Sequence, residues 1–354
     1  MAPVQPVCEA MQTTNLAKLS VRLTILGLSA ATLSAQSLQP STLTVGLQNV
    51  VEYQEDVIPS QYATNPGITT AATPNNFAVS TWIGDIVAVN GQPAKGIYVG
   101  RSRQLVASPA PAPGGAIADV TRTALREHVF EIQQSDGTPV GTIISLGFSG
   151  GPAPPGLGPD GCQSAPCAAG TERGNWAIIG GTGAYFGATG EVGGTGGQGR
   201  AASMSEDPAN RRTNGGTSFP FLLHVIPAVT PAIALTANGP AVTHSSDFSL
   251  VTANKPAAPN EVLSIFATGL APVTEAPSTP FPSSPLTNVT SPVSVTVNGE
   301  AATVLGAVGF PGSTNLYQIN IRVPGDIQSG SAAVQLSAAW IPASPVKISI
   351  QAAN

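Results

Sequence analysis

One segment constrains this chain more than any other: Asn175-Trp176-Ala177-Ile178-Ile179-Gly180-Gly181-Thr182-Gly183-Ala184-Tyr185-Phe186-Gly187-Ala188-Thr189-Gly190-Glu191-Val192. A short apolar run stops at a glycine cluster, turns through Tyr185-Phe186 and resumes as a second β-type run. A dinucleotide-binding fingerprint needs a helix after its glycines, so that free N–H groups at the helix N-terminus receive a pyrophosphate. Here the glycines lead into Ala188-Thr189-Gly190-Glu191-Val192-Gly193-Gly194, which is too glycine-broken to hold a helix. Glu206, near the distance expected of a ribose-binding acid, falls in a Ser/Asp/Pro/Asn loop. The segment reads instead as two barrel strands joined by a glycine-rich bend, with Tyr185-Phe186 packing the turn.

The rest of the chain supports an all-β class. Its 39 glycines and 33 prolines make up roughly a fifth of the 354 residues, just under the share that marks low-complexity disorder. Only 9% of residues are charged, against about 25% in ordinary globular proteins, and hydrophobic content of 42% is ample for a core. Thr, Val and Ile cut by Gly and Pro favour short strands over helices. The net charge of −5, with no basic cluster beyond Arg211-Arg212, argues against nucleic-acid binding.

The N-terminus reads as an export signal over residues 1–35. Lys18 and Arg22 precede the apolar run Leu23-Thr24-Ile25-Leu26-Gly27-Leu28, and small residues follow up to Ser34-Ala35. Met11 offers an alternative start that gives a tidier signal. The apolar run is too short for a bilayer core of about 30 Å, so no transmembrane span is expected. Localisation outside the cytoplasm, extracellular or periplasmic, follows from the signal. Past it, two cysteines remain, Cys162 and Cys167, in a Gly/Pro-rich loop. An exported protein with such a close pair is expected to bond them as a disulfide; a metal site would need further ligands, and no His or Cys lies nearby. No metal and no cofactor is implied.

Strand signals recur along residues 41–226. Residues 41–58 alternate well enough for a strand, through Leu43, Val45, Leu47 and then Val50-Val51. Asn90-Gly91 and Asp136-Gly137 are both type I′ hairpin signals. After Asp136-Gly137, Val140, Thr142, Ile144, Leu146 and Phe148 share one face, while Gly141, Ile143, Ser145 and Gly147 share the other, thinner one. That contrast suits a curved barrel wall. Residues 227–258 form a Pro-punctuated linker with one edge strand around 233–235. Six short strands in residues 259–354, with Asn298-Gly299 as a further hairpin turn, describe an Ig-like β-sandwich. Asn288-Val289-Thr290 is a formal glycosylation sequon.

Chemistry-bearing residues are sparse. Gly147-Phe148-Ser149-Gly150-Gly151 matches a serine-hydrolase pattern, but Pro152, Pro154 and Pro155 forbid the helix that a nucleophile elbow requires. Arg126, His128 and Phe130 fall on one face of the strand at 123–134, with Glu127 and Glu131 on the other. Either one set faces a barrel lumen, where a shifted pKa could serve proton transfer, or both sit near strand ends and the outer surface. Trp176 and Tyr185 are core aromatics on one reading and ligand contacts on the other. Arg126, His128, Phe130, Trp176 and Tyr185 are therefore the candidate ligand-cavity residues. His224 and His244 have no acidic partner suggested by sequence.

Residues 178–192, with Asp136-Gly137-Thr138-Pro139-Val140-Gly141-Thr142 upstream, resemble the signature hairpins of allene oxide cyclase and dirigent-like barrels. The resemblance covers about residues 45–226 and implies an eight-stranded antiparallel barrel with a largely apolar lumen. The polar cavity residues of plant members find no one-to-one match here, so activity does not carry over. The C-terminal part resembles an Ig-like, IPT/TIG-related module of exported bacterial proteins. The matching pieces are Pro259-Asn260-Glu261-Val262-Leu263-Ser264-Ile265-Phe266, Val295-Thr296-Val297-Asn298-Gly299 and Tyr317-Gln318-Ile319-Asn320-Ile321-Arg322-Val323-Pro324. Such modules serve as spacers or adhesive units.

Three functional expectations follow. The first is an exported, non-catalytic binding or structural protein whose barrel takes a small apolar ligand or a cell-surface or protein partner. The second is an isomerase or cyclase acting in the lumen, with His128 and Glu131 as first candidates. The third is a purely structural adhesive protein, whose lumen would be filled by side chains. The state of the lumen separates them.

Overall fold

Alternating β-branched and aromatic residues, cut every few positions by Gly or Pro, leave a chain few options other than short strands. A computed structural model describes residues 40–54, 79–104, 124–149, 174–194, 199–274 and 280–351, and it is all-β. The expected signal peptide and the pair Cys162 and Cys167 lie outside the described residues.

The N-terminal half comprises β1 (Ser41–Gln54), β2 (Val79–Val89), β3 (Gln92–Gln104), β4 (Ala124–Gln134), β5 (Pro139–Ser149), β6 (Gly174–Gly181), β7 (Thr189–Gly194), β8 (Arg200–Ser203) and β9 (Thr217–Ile226). Hydrogen bonding runs β2-β3-β4-β5-β6-β7-β9-β1 and returns from β1 to β2, closing eight antiparallel strands into a barrel. Closure removes the free edges that an open sheet exposes. The parallel strand β8 stands apart from the ring and takes the β1 edge at residues 51–54, beyond the point where β9 leaves it.

The alternation of β1 does not run unbroken: a bulge interrupts it before Val50-Val51. Asn49 takes φ 54°, the register with both neighbours shifts, and inward parity changes. Leu43, Val45, Leu47 and Val50 therefore point into the barrel, whereas Val51 and Tyr53 pack outside the ring with Ala202 of β8.

The two ends of the barrel differ. At its base lie the short turns β2–β3, β4–β5 and β6–β7 and the exit of β9; the other end carries the end of β1 and the starts of β2, β4 and β6. Asn90 and Gly91, at φ 51° and 74°, make the expected type I′ turn. The Asp136-Gly137 turn differs from expectation. Only Gly137 takes positive φ, at 95°, and its N–H donates to Gln134 O, while Asp136 Oδ1 accepts the Thr138 N–H at 2.8 Å. That side-chain bond holds Asp136 in an ordinary conformation and leaves the left-handed one to glycine alone.

The glycine-rich bend closes β6–β7 through a 3-10 turn, Gly183–Tyr185, laid against β5. Thr142 and Thr182 exchange backbone bonds of 3.3 and 3.0 Å across this contact. Gly183 has φ +60°, and a Cβ there would sit 2.3 Å from Val140 O. At Gly190, φ is +130° and a Cβ would meet His224 O at 2.0 Å. Both positions need glycine for backbone approach, which accounts for the motif without a phosphate. Of the two turn aromatics, Tyr185 is fully buried whereas Phe186 is 73% exposed, so only the first packs the turn.

The two faces of β5 are distributed against intuition. Ile143 and Ser145 of the thin face are buried, while Leu146 of the more apolar face is 39% exposed. The lumen side of the wall is already occupied by the large side chains of β4 and β6, with Gly147 in register between Arg126 and Trp176. Small residues on β5 make room for them.

The C-terminal half comprises β10 (Ala232–Ile233), β11 (Leu235–Thr236), β12 (Gly239–Pro240), β13 (Val242–His244), β14 (Val262–Thr268), β15 (Val293–Val297), β16 (Glu300–Gly309), β17 (Tyr317–Arg322), β18 (Gly330–Ala338), β19 (Ile341–Pro342) and β20 (Val346–Ile350). All but the small β11–β12 ribbon join one curled sheet, in the order β10-β14-β17-β16-β15-β18-β19, with β13 added on β14 and β20 on β18. Within the expected linker, β10 and β13 both pair with β14. Leu263, Ile265, Ile319, Ile321, Val334 and Leu336 are fully buried in its core.

The halves meet at the barrel base. The β18–β19 hairpin brings Ala339 and Ile341 into the barrel's own apolar core, with Trp340 packed beside them. Ala339 and Trp340 take φ 49° and 60° to make that turn. Tyr185 Oη donates to Ala339 O at 3.3 Å, and Gln134 Nε2 donates to Thr290 O at 2.6 Å.

Candidate functional site in the barrel lumen

Strand alternation decides which side chains meet inside the barrel. In the register β3–β4–β5, Tyr98 faces Phe130, Gly100 faces His128 and then Ser145, and Ser102 faces Arg126 and then Gly147. Trp82 of β2 pairs with Gly100, and Trp176 of β6 pairs with Gly147. The result is a ring cluster through the middle of the lumen, made of Tyr98, His128, Phe130, Trp176 and Phe221. Tyr98, Phe130 and Phe221 lie with centroids 5.2 Å apart, and His128 sits 4.4 Å from Trp176. At these spacings the rings touch, and the mid-lumen is filled.

His128 is 2% exposed. Burial, helped by the nearby Arg126 charge, lowers its pKa to about 3, so the imidazole is neutral at ordinary pH. Burial pushes the Tyr98 hydroxyl in the opposite direction, so Tyr98 keeps its proton. The two meet at 2.8 Å, Tyr98 Oη to His128 Nδ1. An imidazole nitrogen accepts better than a phenol oxygen, so we assign the Tyr98 O–H as donor, which leaves the ring proton on Nε2. Gly100 makes this bond sterically feasible, because a Cβ there would lie 2.6 Å from Tyr98 Oη.

Arg126 is also buried, with its guanidinium carbon 4.8 Å above the Trp82 ring. Burial pushes its pKa down, and the Glu52 charge pulls it back up. Glu52 pairs with Trp82 across β1–β2 and shares the same upper level of the lumen. Among the described residues, Trp82 Nε1, His128 Nε2, Ser145 Oγ and Trp176 Nε1 are buried without a hydrogen-bond partner. All four belong to lumen-facing side chains of neighbouring registers, and His128 and Trp176 are part of the ring cluster itself.

Of the residues singled out by sequence, Arg126, His128, Phe130 and Trp176 lie together in the lumen. Tyr185 is buried elsewhere, in the base turn against Ala339. Glu131 is exposed on the outer wall, where it accepts from Gln133 Nε2 at 3.2 Å, so it never meets His128. Sequence reading missed Tyr98, Trp82, Phe221 and Gly100. Alternation puts each on an inner face, but only pairing across strands shows which inner faces meet. It also missed that His244 has an acidic partner: Nδ1 lies 2.6 Å from Glu261 Oε1 in the second half.

A second polar cluster is structural. Asp85 accepts from Arg212 Nε at 2.8 Å and Asn49 Nδ2 at 2.9 Å, and it pairs with Arg211. Burial alone would raise its carboxyl, yet the bonds from Arg212, Asn49 and Arg211 hold it at about 2. No group of three or more His, Cys, Asp or Glu suited to a metal comes together among the described residues. Nor is any helix among them long and apolar enough to cross a membrane.

Comparison with protein-family models, with curated proteins and with solved structures finds no match in any of the three.

Proposed function

We propose that this is an exported, non-catalytic binding protein. Its barrel holds a small ligand with an apolar body in the upper lumen, and the C-terminal half is an Ig-like, IPT/TIG-related module that carries the barrel. The observation that supports lumen binding is the set of buried, unpartnered polar atoms on Trp82, His128, Ser145 and Trp176, inside a barrel with a largely apolar core. Buried polar groups are normally satisfied, and leaving one without a partner costs about 1–3 kcal/mol. A bound ligand offsets that cost. Catalysis finds less support, because a neutral His128 with Nδ1 engaged by Tyr98 is a poor base and Glu131 faces outward.

Thermal melting in a broad library of small apolar compounds tests this. Saturation at 100 times Kd adds about 2.7 kcal/mol to the native state by mass action, which raises the midpoint by about 5 °C or more. If no compound shifts it, the filled ring cluster is the whole content of the lumen and the barrel is structural.

A further inference from the structure

Resting on that reading, we infer that the lumen selects ligands whose polar end is an oxygen acceptor, such as a carboxylate or an ester carbonyl, and discriminates against amines. The hydrogen-bonding inventory of the wall carries this. Indole N–H groups donate and cannot accept, and both Trp82 Nε1 and Trp176 Nε1 are buried without a partner. His128 joins them as a donor, because Tyr98 occupies Nδ1 and leaves the proton on the unpartnered Nε2. Ser145, in direct register with His128, can donate as well. Arg126 lies one level higher in the same arc and contributes positive charge. Glu52, which faces Trp82, is the single acidic group on that side among the described lumen residues.

An acceptor-only end therefore finds a donor at each of these positions. An ammonium end meets the Arg126 charge and finds only Glu52 and Ser145 to accept its protons. The opposite wall farther from the base, with Leu47, Val50 and Phe219, is apolar and suits the body of the ligand.

The experiment compares octanoate, methyl octanoate, octylamine and toluene on the full chain at pH 7, by calorimetry and by emission of the buried indoles. Octanoate and its ester should bind at least about tenfold tighter than octylamine, the order of one well-made hydrogen bond. Trp176→Phe and, separately, Trp82→Phe each keep a ring but remove one donor. Each should weaken octanoate several-fold while leaving toluene unchanged. Equal or tighter binding of octylamine overturns the inference, as does octanoate binding that ignores both substitutions. Toluene binding without any preference among polar ends sinks this inference alone. Failure of all four probes sinks lumen binding itself.

Discussion

At the scale of single residues, the buried Tyr98–His128 pair makes a pH prediction. His128 is neutral in the folded barrel, with its pKa lowered from 6.5 to about 3 by burial and by Arg126. Its contribution to stability is therefore fully present above pH 6.5 and is lost as pH falls toward 3. Between pH 7 and 5 the folded state should lose about 2 kcal/mol through this group. Urea unfolding at pH 7, 6 and 5 checks it against the double variant His128→Phe/Tyr98→Phe, which removes both partners so that neither polar group is stranded. The slope of the double variant should be shallower by that amount; equal slopes would mean that His128 titrates normally. His128 was legible in the sequence as an inward candidate. Its partner was not, because Tyr98 lies 30 positions away and only the β3–β4 register brings the two together.

At the scale of elements, Asp85 ties three pieces of chain. It joins β2 to the β1 bulge through Asn49 and to the segment between β8 and β9 through Arg211 and Arg212. Asp85→Ala should cost about 3–5 kcal/mol, because it strands the buried Arg211 without its counter-charge. The wild type should also lose about 2 kcal/mol as pH drops from about 4 toward 2, since a depressed carboxyl stabilises only where it is ionised. Acid titration of the unfolding midpoint should show that component in the wild type and not in the variant. Nothing local announces this staple: Asp85 looks like one charge in an apolar strand, and its arginine partners lie some 126 positions on.

At the scale of the whole molecule, the second half closes the base of the first. The barrel core is completed by Ala339 and Ile341 from the β18–β19 hairpin, so the halves should unfold as coupled units. Ala339→Asp places a carboxylate in that apolar base and should lower barrel stability by about 3 kcal/mol, followed by emission of the barrel indoles. Ala339→Gly is the control. Ala339 sits at φ 49°, a conformation glycine adopts freely, so this change should leave the midpoint unchanged or raise it. If both variants melt like the wild type, the hairpin is merely adjacent to the barrel.

Much of the architecture was local and therefore readable. Alternation, Asn-Gly turns and a glycine-rich bend specify strands and hairpins over a few residues, because side-chain parity and positive φ are local properties. Those hairpins suited a curved barrel wall, and the bend at 180–190 is a matter of backbone approach at Gly183 and Gly190. Which inner faces confront one another depends instead on pairing between distant strands. Closure of β1 on β2 turned the thin face of β5 inward, gathered Tyr98 and Phe221 around His128 and set Trp82 under Arg126. The same inner parity leaves Glu131 on the outside, and the β18–β19 hairpin buries Tyr185 at the base. The physical reason is that strand pairing has a period of two along the chain but no preferred separation in sequence, so burial patterns reveal a face and never its opposite.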